Sequence, residues 1–475
     1  MRPFCGVGHR YLPQRRKYCI VIFRSKLEAF MAKKIFLYAL PTLSMLMSGC
    51  ASNLPNAERL AALPVTGPPK IQSNGRELPP AKSKALMDNL EKESGATSIL
   101  TRQLKLMEEI TGKPIIAGNE ATLLTGPEAI AMMLKAIRGA KDNINLETYQ
   151  FNNDKTGRKF AGLLLQKQAE GVQVNLIYDS IGSIDTPAAF FRRLRAGGVN
   201  VIKYNPTDPF HRDHRKILVV DGKTVFTGGV NITSDEASSG DEKNAAKPWK
   251  DADVMIQGPA VAAFQRLFHD TWKRHKGPIL PEQDYFPPLK KEGDDYVMAI
   301  GSRPGERNRL TYLMYYTAFS NATNYIHVTA AYFVPNRAII NALTGAAMRG
   351  VDVQLILATE NDVPIAVYAG RSYYTHLLKS GVRIYQLKGR ILHAKTAVID
   401  GIWSTVGSTN LDMWSFANNK EVNAVIVGKD FAGKMEAMFE NDLRNSKKIT
   451  LKQWRKRSIF ERFKESFARL FANWL

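Results

Sequence analysis

The segment His214-Arg215-Lys216-Ile217-Leu218-Val219-Val220-Asp221 returns 179 residues later as His393-Ala394-Lys395-Thr396-Ala397-Val398-Ile399-Asp400. Working outward, Gly228 and Asn231 recur at the same offset as Gly407 and Asn410, and Gly171-Val172-Gln173-Val174 recurs as Gly350-Val351-Asp352-Val353. One register held over this distance marks an internal duplication. The chain is therefore predicted to fold as two related halves, 114–288 and 289–446. Each half opens with a helix pattern (128–140; 310–321) leading to a strand (144–151; 325–333), and a second helix leads to a strand after Gly-Val (172–178; 351–357). This alternation predicts an α/β fold with sheet strands buried between helices. The repeated segment supplies a further strand (217–220; 396–399), and Asp221-Gly222 and Asp400-Gly401 supply hairpin turns into a partner strand that ends at Asn231 or Asn410.

Alternate residues of a strand share a face, so His214 and Lys216 point together, as do His393 and Lys395. The hairpin returns Asn231 and Asn410 alongside. Each half thus offers an imidazole, an ammonium and a carboxamide. That set suits a phosphoryl group: Lys supplies charge, Asn supplies donors, and His attacks phosphorus or moves a proton. A lone His-x-Lys on a strand is usually a packed or surface pair, and the doubled pattern at one offset is what points to catalysis. His211 and His214 spell a His-x-x-His, but no further ligand cluster lies near and Lys216 would repel a cation, so no metal site is expected and His211 is at most an accessory.

Composition narrows the class. The chain has 475 residues, 44% hydrophobic and 23% charged, an ordinary globular balance that excludes a disordered, disulfide-scaffold or polytopic membrane protein. Its net charge of +22 calls for an anionic partner, nucleic acid or membrane. Residues 1–49 hold nine Lys and Arg against one acid, Glu28, and all three cysteines (Cys5, Cys19, Cys50) lie in the first 50 positions. Lys33-Lys34, the uncharged run from Ile35 to Met47, and Ser48-Gly49 before Cys50 read as a signal peptide starting at Met31, too short to span a bilayer. The Cys after Ser-Gly resembles a bacterial lipoprotein signal, with Met47 where Leu is preferred; the resemblance implies lipidation of Cys50 and a body facing the periplasm. Ala51 and Ser52, with no Asp after the Cys, lean towards the outer membrane of the envelope. Residues 50–113, polar and proline-punctuated with a helical-looking stretch near 100–110, are expected to be a tether. Residues 447–475 carry nine Lys and Arg against two Glu, with Ile459, Phe460, Phe463, Phe467, Leu470, Phe471, Trp474 and Leu475 on one helical stripe. Such a basic amphipathic helix fits the surface of an anionic phospholipid membrane or packs on the body.

The pair of His-x-Lys-x-x-x-x-Asp segments with Gly-x-x-Asn returns resembles the phospholipase D superfamily over residues 114–446. The resemblance implies two pseudo-symmetric α/β/α sandwich lobes with one active site between them, and a ping-pong transfer through a phosphohistidine. It implies His214 as nucleophile and His393 as general acid/base. Lys216, Lys395, Asn231 and Asn410 would hold the non-bridging oxygens, with Ser408 as a helper and no cofactor or metal required. A downstream carboxylate orients each imidazole in the superfamily; Glu421 matches in the second half. Aligning Val425-Ile426 with Met255-Ile256 puts Asp251 at the corresponding place in the first. Asp221 and Asp400 belong to the motif but also open Asp-Gly turns, so a catalytic and a structural role both stand.

Ala331-Tyr332-Phe333-Val334-Pro335 resembles the "PYFVP" segment of bacterial cardiolipin synthases, and Glu147-Thr148-Tyr149, the Arg within the first motif and Gly258-Pro259-Ala260-Val261 are similar. This implies phosphatidyl transfer with phosphatidylglycerol as substrate and no nucleic acid partner; hydrolysis to phosphatidic acid is the near alternative and a nuclease the distant one. Both motifs in one chain predict a monomer.

Overall fold

Period-two apolar segments and Asp-Gly turns build two sheets of identical strand order. In the first half the strands are β1 (Ile115–Thr125), β2 (Asn143–Thr148), β3 (Gln173–Asp179), β4 (Asn200–Tyr204), β5 (Ile217–Val220), β6 (Thr224–Gly228) and β7 (Ala252–Gln257). They lie in the order β1-β7-β6-β5-β2-β3-β4. In the second half β8 (Asp295–Ser302), β9 (Tyr325–Ala330), β10 (Asp352–Ala358), β11 (Arg383–Leu387), β12 (Lys395–Ile399), β13 (Trp403–Gly407) and β14 (Asn419–Val427) follow the same plan. Their order is β8-β14-β13-β12-β9-β10-β11, and the Ser446–Ile449 strand adds at the β11 edge. β2-β3-β4 and β9-β10-β11 are parallel, and the rest pair antiparallel. The equivalent strands β1 and β8 pair with each other, joining the two sheets.

The computed structural model describes residues 54–73, 75–95, 98–238, 247–361 and 363–475, all within one unit, Leu54–Leu475. The leader, the signal segment and Cys50 lie outside the described residues. Among the described residues no helix is long and apolar enough to cross a membrane.

The expected tether is a correction. From residue 54 the chain is folded: Ile71–Ser73 pairs with the start of β1, and the helices Pro80–Ser94 and Leu104–Thr111 follow. Ala57, Ile71, Met87, Ile99, Leu100, Leu104 and Met107 are buried in the second-half core with Tyr312, Leu313, Tyr315 and Phe319. The cause is the helix Leu310–Asn321, which is apolar around almost its whole circumference and cannot face water on any side. Its first-half equivalent, Gly126–Gly139, starts at a Thr125/Glu128 capping box and buries one stripe (Ala129, Ile130, Met133, Ile137), so it needs no cover.

Asp221 and Gly222 both have positive φ (53° and 62°), as do Asp400 and Gly401 (54° and 70°), the backbone that a tight hairpin requires. The C-terminal segment packs one side on the body, as one of the two readings of its stripe expects. The helix Ile459–Arg469 seats Ala468 against Ala366 and Ala369 of the helix Pro364–Arg371, and buried Glu465 takes Arg457 at 2.8 Å. Its aromatic side faces out, with Phe460, Phe463 and Leu470 each about two-thirds exposed. The Trp414 N–H donates to the Leu475 carbonyl at 3.0 Å, which ties the chain end beside the helix that follows Asn410.

Candidate active site

Each motif histidine is delivered to the other half. Arg212–Asp213 runs parallel to Asn419–Lys420, and the His214 N–H donates to the Lys420 carbonyl at 2.9 Å. Ile391–Leu392 runs parallel to Trp249–Lys250, and the His393 N–H donates to the Lys250 carbonyl at 2.8 Å. These two short ladders are equivalent by the internal repeat. They place His214 against Glu421 and His393 against Asp251, so each orienting carboxylate serves the histidine of the opposite half.

His214 Nδ1 lies 3.1 Å from both Glu421 oxygens, and His393 Nδ1 lies 2.6 Å from Asp251 Oδ2. An ionised carboxylate only accepts, so Nδ1 carries the hydrogen; a neutral ring then offers the Nε2 lone pair as nucleophile or base, and a ring that also carries a proton at Nε2 is an acid. Burial, against the pull of Glu421 and helped by Lys216 and Lys395, depresses the His214 imidazole to about 4. Glu421 stays below the usual carboxylate range: burial opposes this, but His214, Lys216 and Ser408 outweigh it. Asp251 is likewise held low against its burial by His393 and Lys395.

Lys216 Nζ donates to the His214 carbonyl at 2.9 Å, and Lys395 Nζ to the His393 carbonyl. Burial and the neighbouring Lys395 ammonium bring Lys216 down to about 7. Since Lys395 of one half acts on both His214 and Lys216 of the other, the two half-sites share one electrostatic field. Tyr149 meets His214 edge-on at 4.9 Å, and Trp249 lies 4.9 Å from the His393 ring.

Asn231 and Asn410 are buried at the returns. Asn231 Oδ1 accepts the Gln150 N–H at 3.3 Å, while Asn410 Oδ1 is buried without a partner among the described residues. Ser408 does not face a substrate position: its hydroxyl donates to Glu421 Oε2 and accepts the Val422 N–H at 3.0 Å, so it fixes the carboxylate. At the equivalent Gly229 a Cβ would fall 2.1 Å from Asp251 Oδ1, which is why the shorter acid is paired with the smaller residue.

Asp221 and Asp400 are not brought to the histidines. They sit at the far end of their strands, about 20 Å along the chain at ~3.3 Å per residue. Asp221 accepts the N–H groups of Lys141, Asp142 and Asn143 at 2.8–3.1 Å. Asp400 accepts those of Thr323, Asn324 and Tyr325 at 2.8–2.9 Å. The acceptor-rich carboxylate holds the turn that starts the neighbouring strand. His211 is also apart, half-exposed and paired with Asp208 at 2.7 Å.

Three sets of contacts carry no sequence signal of their own, although Arg215 and Glu147 belong to segments similar to cardiolipin synthases. Arg215, fully buried on the strand face opposite His214, crosses to the second half and donates to the carbonyls of Glu421 and Ser302 at 3.1 and 3.2 Å. Lys420 lies 3.5 Å from Glu147 and 3.9 Å from Asp213, and burial raises Glu147 to about 8. Glu236, five residues after Asn231, stands beside His393 with Asp251; their ligand-type atoms lie within 4.8 Å of one another. Lys216 and Lys395 act on the same cluster, so it already faces two ammonium groups and is poorly suited to a cation. Two imidazoles anchored through Nδ1, two ammonium groups and two carboxamides can together support in-line displacement at a phosphodiester.

The family described as "Cardiolipin synthase, PLD-like domain" matches residues 133–272 and 315–443. A cardiolipin synthase of Geobacillus thermodenitrificans (strain NG80-2) is 35% identical over 377 residues, 77% of this chain and 74% of that protein. A probable cardiolipin synthase of Bacillus subtilis (strain 168) is 33% identical over 366 residues, 74% and 72% of the two chains. Among solved structures, phosphatidylserine synthase of Haemophilus influenzae Rd KW20 superimposes with a TM-score of 0.57 at 12% identity, over 82% of this chain and 98% of that one, a likeness of fold.

Proposed function

The chain belongs to the cardiolipin synthase family with phospholipase D-like domains, and on that basis we propose that it joins two phosphatidylglycerol molecules into cardiolipin, releasing glycerol, through a phosphohistidine on His214. The observation that carries this reading is the pair of histidines anchored through Nδ1 to carboxylates of opposite halves. His214 Nε2 attacks phosphorus while His393 protonates the departing glycerol oxygen. His393 then takes the proton from the glycerol hydroxyl of a second phosphatidylglycerol, whose oxygen displaces His214. Lys216, Lys395, Asn231 and Asn410 face the charge that builds on the non-bridging oxygens. His214 is neutral and nucleophilic at physiological pH because of its burial.

The partner surface is an anionic phospholipid bilayer. Supporting this, the outward stripe of Phe460, Phe463, Phe467 and Leu470 is flanked by Arg462, Lys464 and Arg469, and the chain end is tied beside the helix after Asn410. Lipidation of Cys50 would add a second anchor and place the body in the periplasm, at the outer membrane. Both motifs lie in one chain, which supports a monomer.

Incubation of the purified chain with phosphatidylglycerol vesicles, with products identified by mass spectrometry, tests the reading. Cardiolipin with glycerol is the expected result. Phosphatidic acid alone would replace transfer by hydrolysis, and no lipid product would overturn both. Labelled palmitate incorporated into the chain but not into Cys50→Ser tests the anchor.

A further inference from the structure

Glu236 is a fully buried carboxyl that the transfer steps leave unused. Its Oε1 accepts the Asn231 N–H at 3.3 Å and stands 3.6 Å from His393 Nδ1. Its Oε2 is buried without a hydrogen-bond partner among the described residues, close enough to Gly126 that a Cβ there would lie 3.5 Å away. In the second half the residue at the repeat offset is Ser415, whose hydroxyl accepts the Asn410 N–H at 3.3 Å. The duplication therefore shows what the backbone needs at this place: one acceptor for the asparagine N–H, which a neutral hydroxyl provides. A carboxyl exceeds that need and costs more to bury. Its effect is to give His393 two acids at Nδ1, Asp251 and Glu236, where His214 has Glu421 alone.

We propose that Glu236 is a positioning residue of the His393 side, sharing one negative charge and one proton with Asp251 and thereby setting how firmly His393 holds its proton. This rests on the reading of His393 as the acid/base. The groups facing the pair are Asp253 on β7, Lys395 on the His393 strand and Lys216 from the first motif. Two buried carboxyls this close do not ionise together: the second gives up its proton only at a higher pH than the first. Burial and Asp251 hold Glu236 well above the usual carboxylate range, whereas Asp251 is held below it. One acid is thus an anion and the other keeps its proton. Ionisation of Glu236 adds a second charge at the imidazole and makes it hold its proton harder. The asymmetry suits the one histidine that cycles a proton while the other carries the phosphoryl group.

The test is the titration of 15N-labelled histidines in the full chain without lipid, with the His393 signal assigned by its loss in His393→Gln. Glu236→Gln and Glu236→Ser should both lower the His393 midpoint by about half a pH unit or more, as removal of a nearby titrating acid does, and leave His214 in place. Serine already stands at the equivalent site, so Glu236→Ser serves where the glutamine does not fold. An unshifted His393, or an equal shift of both histidines, overturns the proposal. Failure of the lipid reading shows in the vesicle assay alone, since this titration needs no substrate.

Discussion

His393 Nδ1 and Asp251 Oδ2 are 2.6 Å apart although 142 residues separate them and they belong to different halves. The contact fixes the imidazole tautomer from outside its own sheet. Asp251→Asn keeps the shape and loses the acceptor charge. It should lower kcat by roughly 10²–10⁴-fold with little change in KM, the range for removing a carboxylate that orients a catalytic imidazole. Steady-state kinetics check this, and Glu421→Gln should behave alike through His214.

The two histidines are separable by leaving group. With a nitrophenyl phosphodiester, which departs without protonation, His393→Ala should give a burst of nitrophenolate and a stable phosphohistidine, while His214→Ala gives neither. With phosphatidylglycerol both variants should be inactive. A burst from His214→Ala would exchange the roles.

The pH dependence of kcat/KM, which reports the free enzyme, follows from two buried groups. His214 is depressed to about 4, so activity rises as pH passes that value and the imidazole becomes neutral. Lys216 is depressed to about 7, so its ammonium is present below that pH and lost above it, and activity falls on that side. A profile flat from neutral to strongly alkaline pH would contradict the second limb.

Asp400→Ala should weaken the fold and spare the chemistry. Its carboxylate takes three backbone N–H groups. Leaving these three part-buried groups without an acceptor should cost about 2–4 kcal/mol, near the low end per group because water reaches them in part. Denaturant unfolding measures this, and the folded fraction should turn over within about twofold of wild type, as for a change outside the reacting groups.

The outward aromatic side of the Ile459–Arg469 helix is open to test by sedimentation with phosphatidylglycerol vesicles. Phe463→Ser with Phe467→Ser removes two exposed rings. It should weaken binding at least tenfold, since each buried ring contributes about 1.5–3 kcal/mol, without lowering the melting temperature. Unchanged binding would remove this face from the membrane.

The repeat, the hairpins and both half-sites were legible because a fixed offset and Asp-Gly turns leave little freedom. β1, β4, β7, β8, β11 and β14 carry no such marks, and without β7 and β14 the exchange of carboxylates is hidden: an alignment says that Asp251 and Glu421 are equivalent, but not which histidine each reaches. Motif membership drew Asp221 and Asp400 towards the site, whereas the turn chemistry of the same residues described their work. The fold of residues 54–113 was announced in another place, by a helix at Leu310–Asn321 with no polar face, whose need for cover names no partner.

Because Glu421 and Asp251 each hold the histidine of the opposite half, neither half alone can set the tautomer of its own histidine. A chain whose halves dock out of register holds two unoriented imidazoles rather than one weak catalyst. Reactivity is in this way conditional on completed assembly, and a nascent or misfolded copy is chemically silent among the phosphodiesters that surround it.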